Sequence, residues 1–131
     1  MNKPILISAV ILGLLSVVLG AFGAHGLKDI ISIESIQTFE IGVRYQMYHA
    51  LLLLFVGSSS YVSPKTKQIC FYLIWIGLVF FSGSIYGLAT NTLTSFDFKT
   101  IAFITPIGGL FLIISWLVLF VGFLKMKGDK L

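Results

Sequence analysis

His25 and His49 are the only two histidines in this chain of 131 residues, and histidine is the side chain whose charge ordinarily changes near neutral pH. His49 stands four residues after Tyr45 and three after Gln46, so on a helix these side chains border one another, with Arg44 and Tyr48 forming the next stripe. Such a set could carry a proton, hold a small polar ligand, or hydrogen-bond to neighbouring helices. Tyr86, preceded by Ser82 and Ser84, and Thr105, which precedes Pro106, complete the candidate polar cluster of His25, Tyr45, Gln46, His49, Tyr86 and Thr105. Two histidines on different apolar runs lack an evident third ligand, and the lone Cys70 starts a run at the opposite side, so neither metal nor haem is expected. The serines sit beside glycine without a paired acid and base, and there is no phosphate loop, dinucleotide fingerprint or zinc spacing. No catalytic residue and no cofactor is therefore assigned, and an enzyme is the less favoured class. Internal repeats and a membrane-centred charge, the marks of a transporter, are missing as well.

The elements that must position these residues follow from composition. Apolar residues make up 57% of the chain and charged residues 11%, with a mean hydropathy of +1.02. Soluble domains carry about 25% charged residues, so the apolar excess has to face lipid and a water-soluble fold is excluded. The nine Lys and Arg form no basic block, which argues against nucleic acid as a partner. Four apolar runs, at about 5–24, 45–62, 69–90 and 101–123, are expected to be spans, since a crossing takes about 20 residues. The second is short and ends in Gly57 and a run of serines. Before it, Ile33, Ile36, Phe39 and Val43 alternate with Glu34, Gln37, Thr38 and Glu40 at helical spacing. Ser32 is the expected N-cap, and one helix could run through this amphipathic stretch and the second span, its first half lying on the membrane surface or projecting from it. The expected fold is a single all-α membrane domain, a four-helix transmembrane bundle with an amphipathic helical segment between helices 1 and 2.

Lys3, Lys65, Lys67, Lys125, Lys127 and Lys130 fall on one side of such a bundle, against Lys28, Arg44 and Lys99 on the other, which places both termini in the cytoplasm. The first run has a rival reading as a signal peptide cleaved near Ala21-Phe22-Gly23; retention is preferred because the run reaches spanning length and carries its own face of small residues. Helix packing in lipid relies on small residues, and Gly13, Gly20, Gly23, Gly83, Gly87, Gly108 and Gly109 are the expected contact points, serving either the bundle itself or self-association. Pro106, about five residues into the fourth run, is expected to kink that helix or fray its first turn, or else to mark an ordinary helix start. Cys70 is expected to behave as a small buried hydrophobe, and Tyr61, Tyr72 and Trp75 as interfacial anchors.

Four strings, GAFGAHGL at 20–27, GVRYQMYHALLLL at 42–54, FSGSIYGL at 81–88 and ITPIGG at 104–109, resemble the YgdD-like family of small bacterial inner-membrane proteins. That family, a domain of unknown function numbered 423, has small eukaryotic transmembrane relatives. The resemblance spans nearly the whole chain and implies four spans but no activity. Its pattern matches Gly20 to His25, then Tyr45, Gln46 and His49, then Thr105 to Gly109, whereas the basic residue at Arg44 is less fixed. Two functions remain open from the sequence. The first is a structural or interaction component of the inner membrane, in contact with the lipid bilayer and able to join a homo-oligomer or membrane complex. The second is a small-molecule or proton-handling protein with its pocket at the polar cluster.

Overall fold

The computed structural model describes residues 2–126, so Lys127 and Lys130 of the orientation count lie outside the described residues. Its regular structure is helical throughout: α1 (Lys3–His25), α2 (Ile33–Ser58), α3 (Pro64–Ala89) and α4 (Ile104–Leu124). Two 3-10 turns, Asn91–Leu93 and Phe98–Ile101, occupy the connection between α3 and α4.

Local chemistry sets the ends. The side chains of Asn2, Ser32 and Ser63 accept hydrogen bonds from the backbone N–H groups of Ile5, Ser35 and Thr66, each satisfying a donor that a helix start leaves orphaned. Ser63 and Pro64 thereby start α3 five residues before the apolar run does. Pro106 is the third residue of α4, where its missing N–H costs nothing, and the carbonyl of Ala102 accepts from Thr105 N–H at 3.2 Å instead. A helix start therefore forms there, not a kink.

The chain runs up and down, with α1 packed on α2, α2 on α3 and α3 on α4. The α1–α2 register is fixed by Gly57 against Ile5, Gly13 against Ala50, Gly20 against Val43 and Gly23 against Phe39. Asn2 N–H donates to the Gly57 carbonyl at 2.9 Å and closes the far end. α2 thus lies antiparallel along nearly the full length of α1. From Phe39 onward α2 is drawn into the bundle, because Gly23 on one side and Gly42 on the other leave room for the Phe39 and Tyr86 rings. Ile33 and Glu34 in its first turn stay exposed.

Three helices, α1, α3 and α4, are long and apolar enough to cross a membrane. One core cluster, including Ile5, Leu53, Val56, Cys70, Ile74 and Leu112, fills the space between the helices. Cys70 is completely buried there. Val10, Leu14 and Val17 on α1 and Leu110, Ile113 and Leu117 on α4 point outward as uncharged apolar faces. Tyr61 and Tyr72 are exposed, while Trp75 is partly buried, with its indole nitrogen unpaired among the described residues.

Candidate functional site

Gln46 is the centre of the polar arrangement. Only 6% exposed, it donates from Nε2 to the Leu12 carbonyl of α1 at 2.9 Å and accepts at Oε1 from the Tyr86 hydroxyl of α3 at 2.6 Å. The amide orientation follows from its partners, since a carbonyl can only accept. One side chain of α2 therefore ties three helices together. Gly42 lies one turn before Gln46, and a Cβ there would come within 2.7 Å of the Tyr86 ring, so the bare backbone is what lets the tyrosine reach across. The Gly42 carbonyl in turn accepts from Ser82 Oγ at 2.8 Å.

His49 points elsewhere. Its Nδ1 lies 2.7 Å from the Tyr45 carbonyl, one turn back, and its Nε2 lies 3.1 Å from Nε1 of Trp116 on α4. The carbonyl requires a proton on Nδ1, and the indole N–H requires a lone pair on Nε2, so these contacts together select the neutral Nδ1–H tautomer. At 4% exposure the ring has both nitrogens engaged by protein. The imidazole links α2 to α4.

Ser84 and Thr105 share a hydrogen bond across α3 and α4, with Ser84 also donating to its own helix at Phe80. Deeper along the same pair, the Cys70 thiol faces the Ser115 carbonyl at 3.8 Å. The expected residues thus do not converge on one pocket. Gln46 and Tyr86 form one junction, His49 a second with Trp116, and Thr105 a third with Ser84. Tyr45, 40% exposed, contributes its ring to an aromatic group with Tyr48 and Phe81.

His25 joins none of these. It is exposed in the last turn of α1. With Ala50 opposite Gly13, the His49 level is about 16 Å along the helix axis from His25, too far for the two rings to meet.

The glycines divide similarly. A Cβ at Gly108 would fall on the backbone of α3, 2.7 Å from the Phe80 carbonyl carbon and 2.8 Å from the Gly77 oxygen. A Cβ at Gly109 would meet the Phe81 ring at an ordinary 3.5 Å. Gly87 packs against Phe98 of the second 3-10 turn, not against a helix. Gly83 is not a contact point within the bundle, because a Cβ there would meet nothing within 4 Å, and only the self-association role stays open to it. Its place is taken by Gly77, which sits between Cys70 and Ser84 at seven-residue intervals that mark the α4-facing stripe.

Two further residues were not singled out from the sequence. Trp116 stood among Leu, Val and Phe with nothing to separate it from a lipid-facing aromatic. Lys67, counted only as an orientation signal, is 5% exposed and donates from Nζ to the Gly57 carbonyl at 3.3 Å. A cation at the carbonyl end of α2 is favourable for the helix dipole.

Packed helices with long apolar faces, cross-linked by buried polar side chains, define an integral membrane protein. Residues 19–109 match the model of the family described as Protein of unknown function (DUF423). The chain belongs to that family. It is 40% identical over 126 residues to a UPF0382 membrane protein of Staphylococcus epidermidis, covering 96% of this chain and 99% of the relative. It is 36% identical to a UPF0382 membrane protein of Haemophilus influenzae, covering 88% and 89%. It is 33% identical to the UPF0382 inner membrane protein YgdD of Escherichia coli, covering 96% and 93%. No solved structure matches it.

Proposed function

We propose that the chain crosses the inner membrane four times, with α2 as the remaining span, and serves as a structural or interaction component whose buried polar residues lock helix to helix. The α1–α2 register supports the fourth span: a helix antiparallel to α1 from Gly57 to Phe39 traverses the same thickness that α1 does. The polar positions of α2 that weaken its hydropathy, Gln46 and His49, are turned toward neighbours and away from lipid. α1 is likewise buried against α2 at Ala9, Leu12, Ser16 and Gly23, a packing that favours its retention over removal as a signal peptide. The outer faces of α1 and α4 are where a second copy or a larger complex would attach.

The observation that carries the structural reading is the double engagement of His49. A histidine that handles protons or binds a ligand keeps at least one nitrogen available, and this one has neither. The test is a double-mutant cycle of His49→Ala and Trp116→Phe, read as equilibrium unfolding in mixed micelles. A coupling of about 1 kcal/mol is expected, within the range of up to about 1.7 kcal/mol for hydrogen bonds between membrane helices. Additive losses would remove the link on which this reading rests.

For orientation, Lys3, Lys65, Lys67 and Lys125 gather at one end of the bundle, while Asp29, Glu34, Glu40 and Asp97 accompany Lys28, Arg44 and Lys99 at the other. The positive-inside bias puts the first end, and both termini, in the cytoplasm. A fluorescent protein fused to the C-terminus should be bright and an alkaline phosphatase fusion inactive; an active phosphatase would reverse the orientation.

A further inference from the structure

We propose that the lysine-bearing end of the α3–α4 pair is a seat for an anionic phospholipid, with the phosphate held by Lys65 and Lys125 and the acyl chains lying in grooves on either side of α4. This goes beyond the structural role above and does not depend on which side of the membrane this end faces.

A cavity of about 280 Å³ opens between the α2–α3 connection and the last turn of α4, with Ser63, Thr66 and Lys125 among its walls. Through Leu119 and Phe123 it continues into a wholly apolar groove of about 410 Å³ between α2 and α4, whose deep end is Trp116. Around the other side of α4, a groove of about 400 Å³ is walled by Ile69, Leu117, Val118 and Val121, with Lys65 and Lys125 at its mouth. The spaces on the two sides meet at Thr66, Gly122 and Lys125.

The dimensions and charges suit one kind of occupant. From Lys125 to Trp116 is about 14 Å of helix, close to the depth of one leaflet in a hydrocarbon core of about 30 Å. Polar groups line only the mouth, and apolar ones the rest, which is the polarity of a lipid molecule. Both lysines are exposed, and the described carboxylates, Asp29, Glu34, Glu40 and Asp97, all belong to the opposite end. Two cations with no acid nearby among the described residues attract a phosphodiester bearing net negative charge over a zwitterionic one, and a lysine at an anionic lipid surface is worth about fivefold in binding.

Trp116 reports on its own groove. In full-length protein carrying Trp75→Phe, it is the sole tryptophan, and its quenching by chain-brominated lipid in nanodiscs measures occupancy. Brominated phosphatidylglycerol, diluted in unlabelled phosphatidylcholine, should quench at about fivefold lower content than brominated phosphatidylcholine in the same host. Lys65→Gln with Lys125→Gln should abolish that preference, whereas Lys125→Arg should keep it. Lys3→Gln, at the same end but outside the grooves, should leave it unchanged. Equal quenching by the two lipids, or a preference that Lys3→Gln removes as fully as the groove variants, would overturn the seat. Loss of the preference on adding millimolar glycerol 3-phosphate would overturn the lipid as occupant in favour of a soluble phosphate ester.

Discussion

Gly108→Ala should be the most damaging single-methyl addition at the glycines of this bundle, destabilising it by about 3 kcal/mol, the upper end of the usual range for overpacking. Its Cβ would meet the main chain of α3 at Phe80 and Phe81 and the Gly77 oxygen, and main chain cannot rotate aside as a flexible side chain does. α3 and α4 would have to separate along their whole contact. That separation would pull Thr105 from Ser84 and Trp116 from His49, so the loss would exceed one local clash. Gly83→Ala is the matched control on α3, open to its surroundings and expected within about 0.5 kcal/mol of the parent. Equilibrium unfolding in mixed micelles, with both variants at the same detergent composition, checks the contrast.

Gln46→Leu should rank next, at about 2 kcal/mol, because it removes two interhelical hydrogen bonds at once and strands the Tyr86 hydroxyl inside the bundle. Hydrogen bonds between membrane helices average about 0.6 kcal/mol and reach about 1.7, so a single bond could not account for the predicted loss. Tyr86→Phe leaves the Leu12 link intact and should cost about half as much. In the double variant the second change should add little, since Tyr86 has already lost its acceptor. Strict additivity would mean that Gln46 and Tyr86 contribute independently and that Gln46 is no junction.

What the sequence made readable was depth, and what it concealed was direction around each helix. Charge placement and apolar run length put Gln46, His49, Tyr86 and Thr105 at usable levels in the membrane. They could not tell that Gln46 turns toward α1 and α3 while His49 turns toward α4. His25 joined the expected cluster because it ends an apolar run, but the α1–α2 register set by Gly13, Gly20 and Gly23 carries it past the junctions. Leu12 was invisible as a partner because its contribution is a backbone carbonyl, which every residue possesses. Gly83 was chosen for its spacing to Gly87, a pattern common in packed membrane helices. The seven-residue recurrence of Cys70, Gly77 and Ser84 was the better guide, because it follows the stripe that α4 covers. Lys67 shows a related limit, since a charge near a span end reads as orientation whether its ammonium faces water or a helix terminus.

The helix ends were more legible than the contacts. Ser32 caps α2, and its hydroxyl accepts from Ser35 N–H at 3.1 Å, the local chemistry that a serine before an acidic first turn implies. Pro106 carried the same kind of information with two outcomes, a kink or a start. The bond from Thr105 N–H to Ala102 decides for the start.

The claim that unites these features is that the buried polar groups hold helices together and are not left free for ligand or proton. Nitrogen-15 NMR of histidine-labelled protein in nanodiscs, with His25→Gln so that only His49 reports, tests it most directly. One neutral tautomer is expected, with the proton on Nδ1 and an Nε2 resonance that moves when Trp116 becomes Phe. A proton on Nε2, or an Nε2 resonance indifferent to Trp116→Phe, would contradict it.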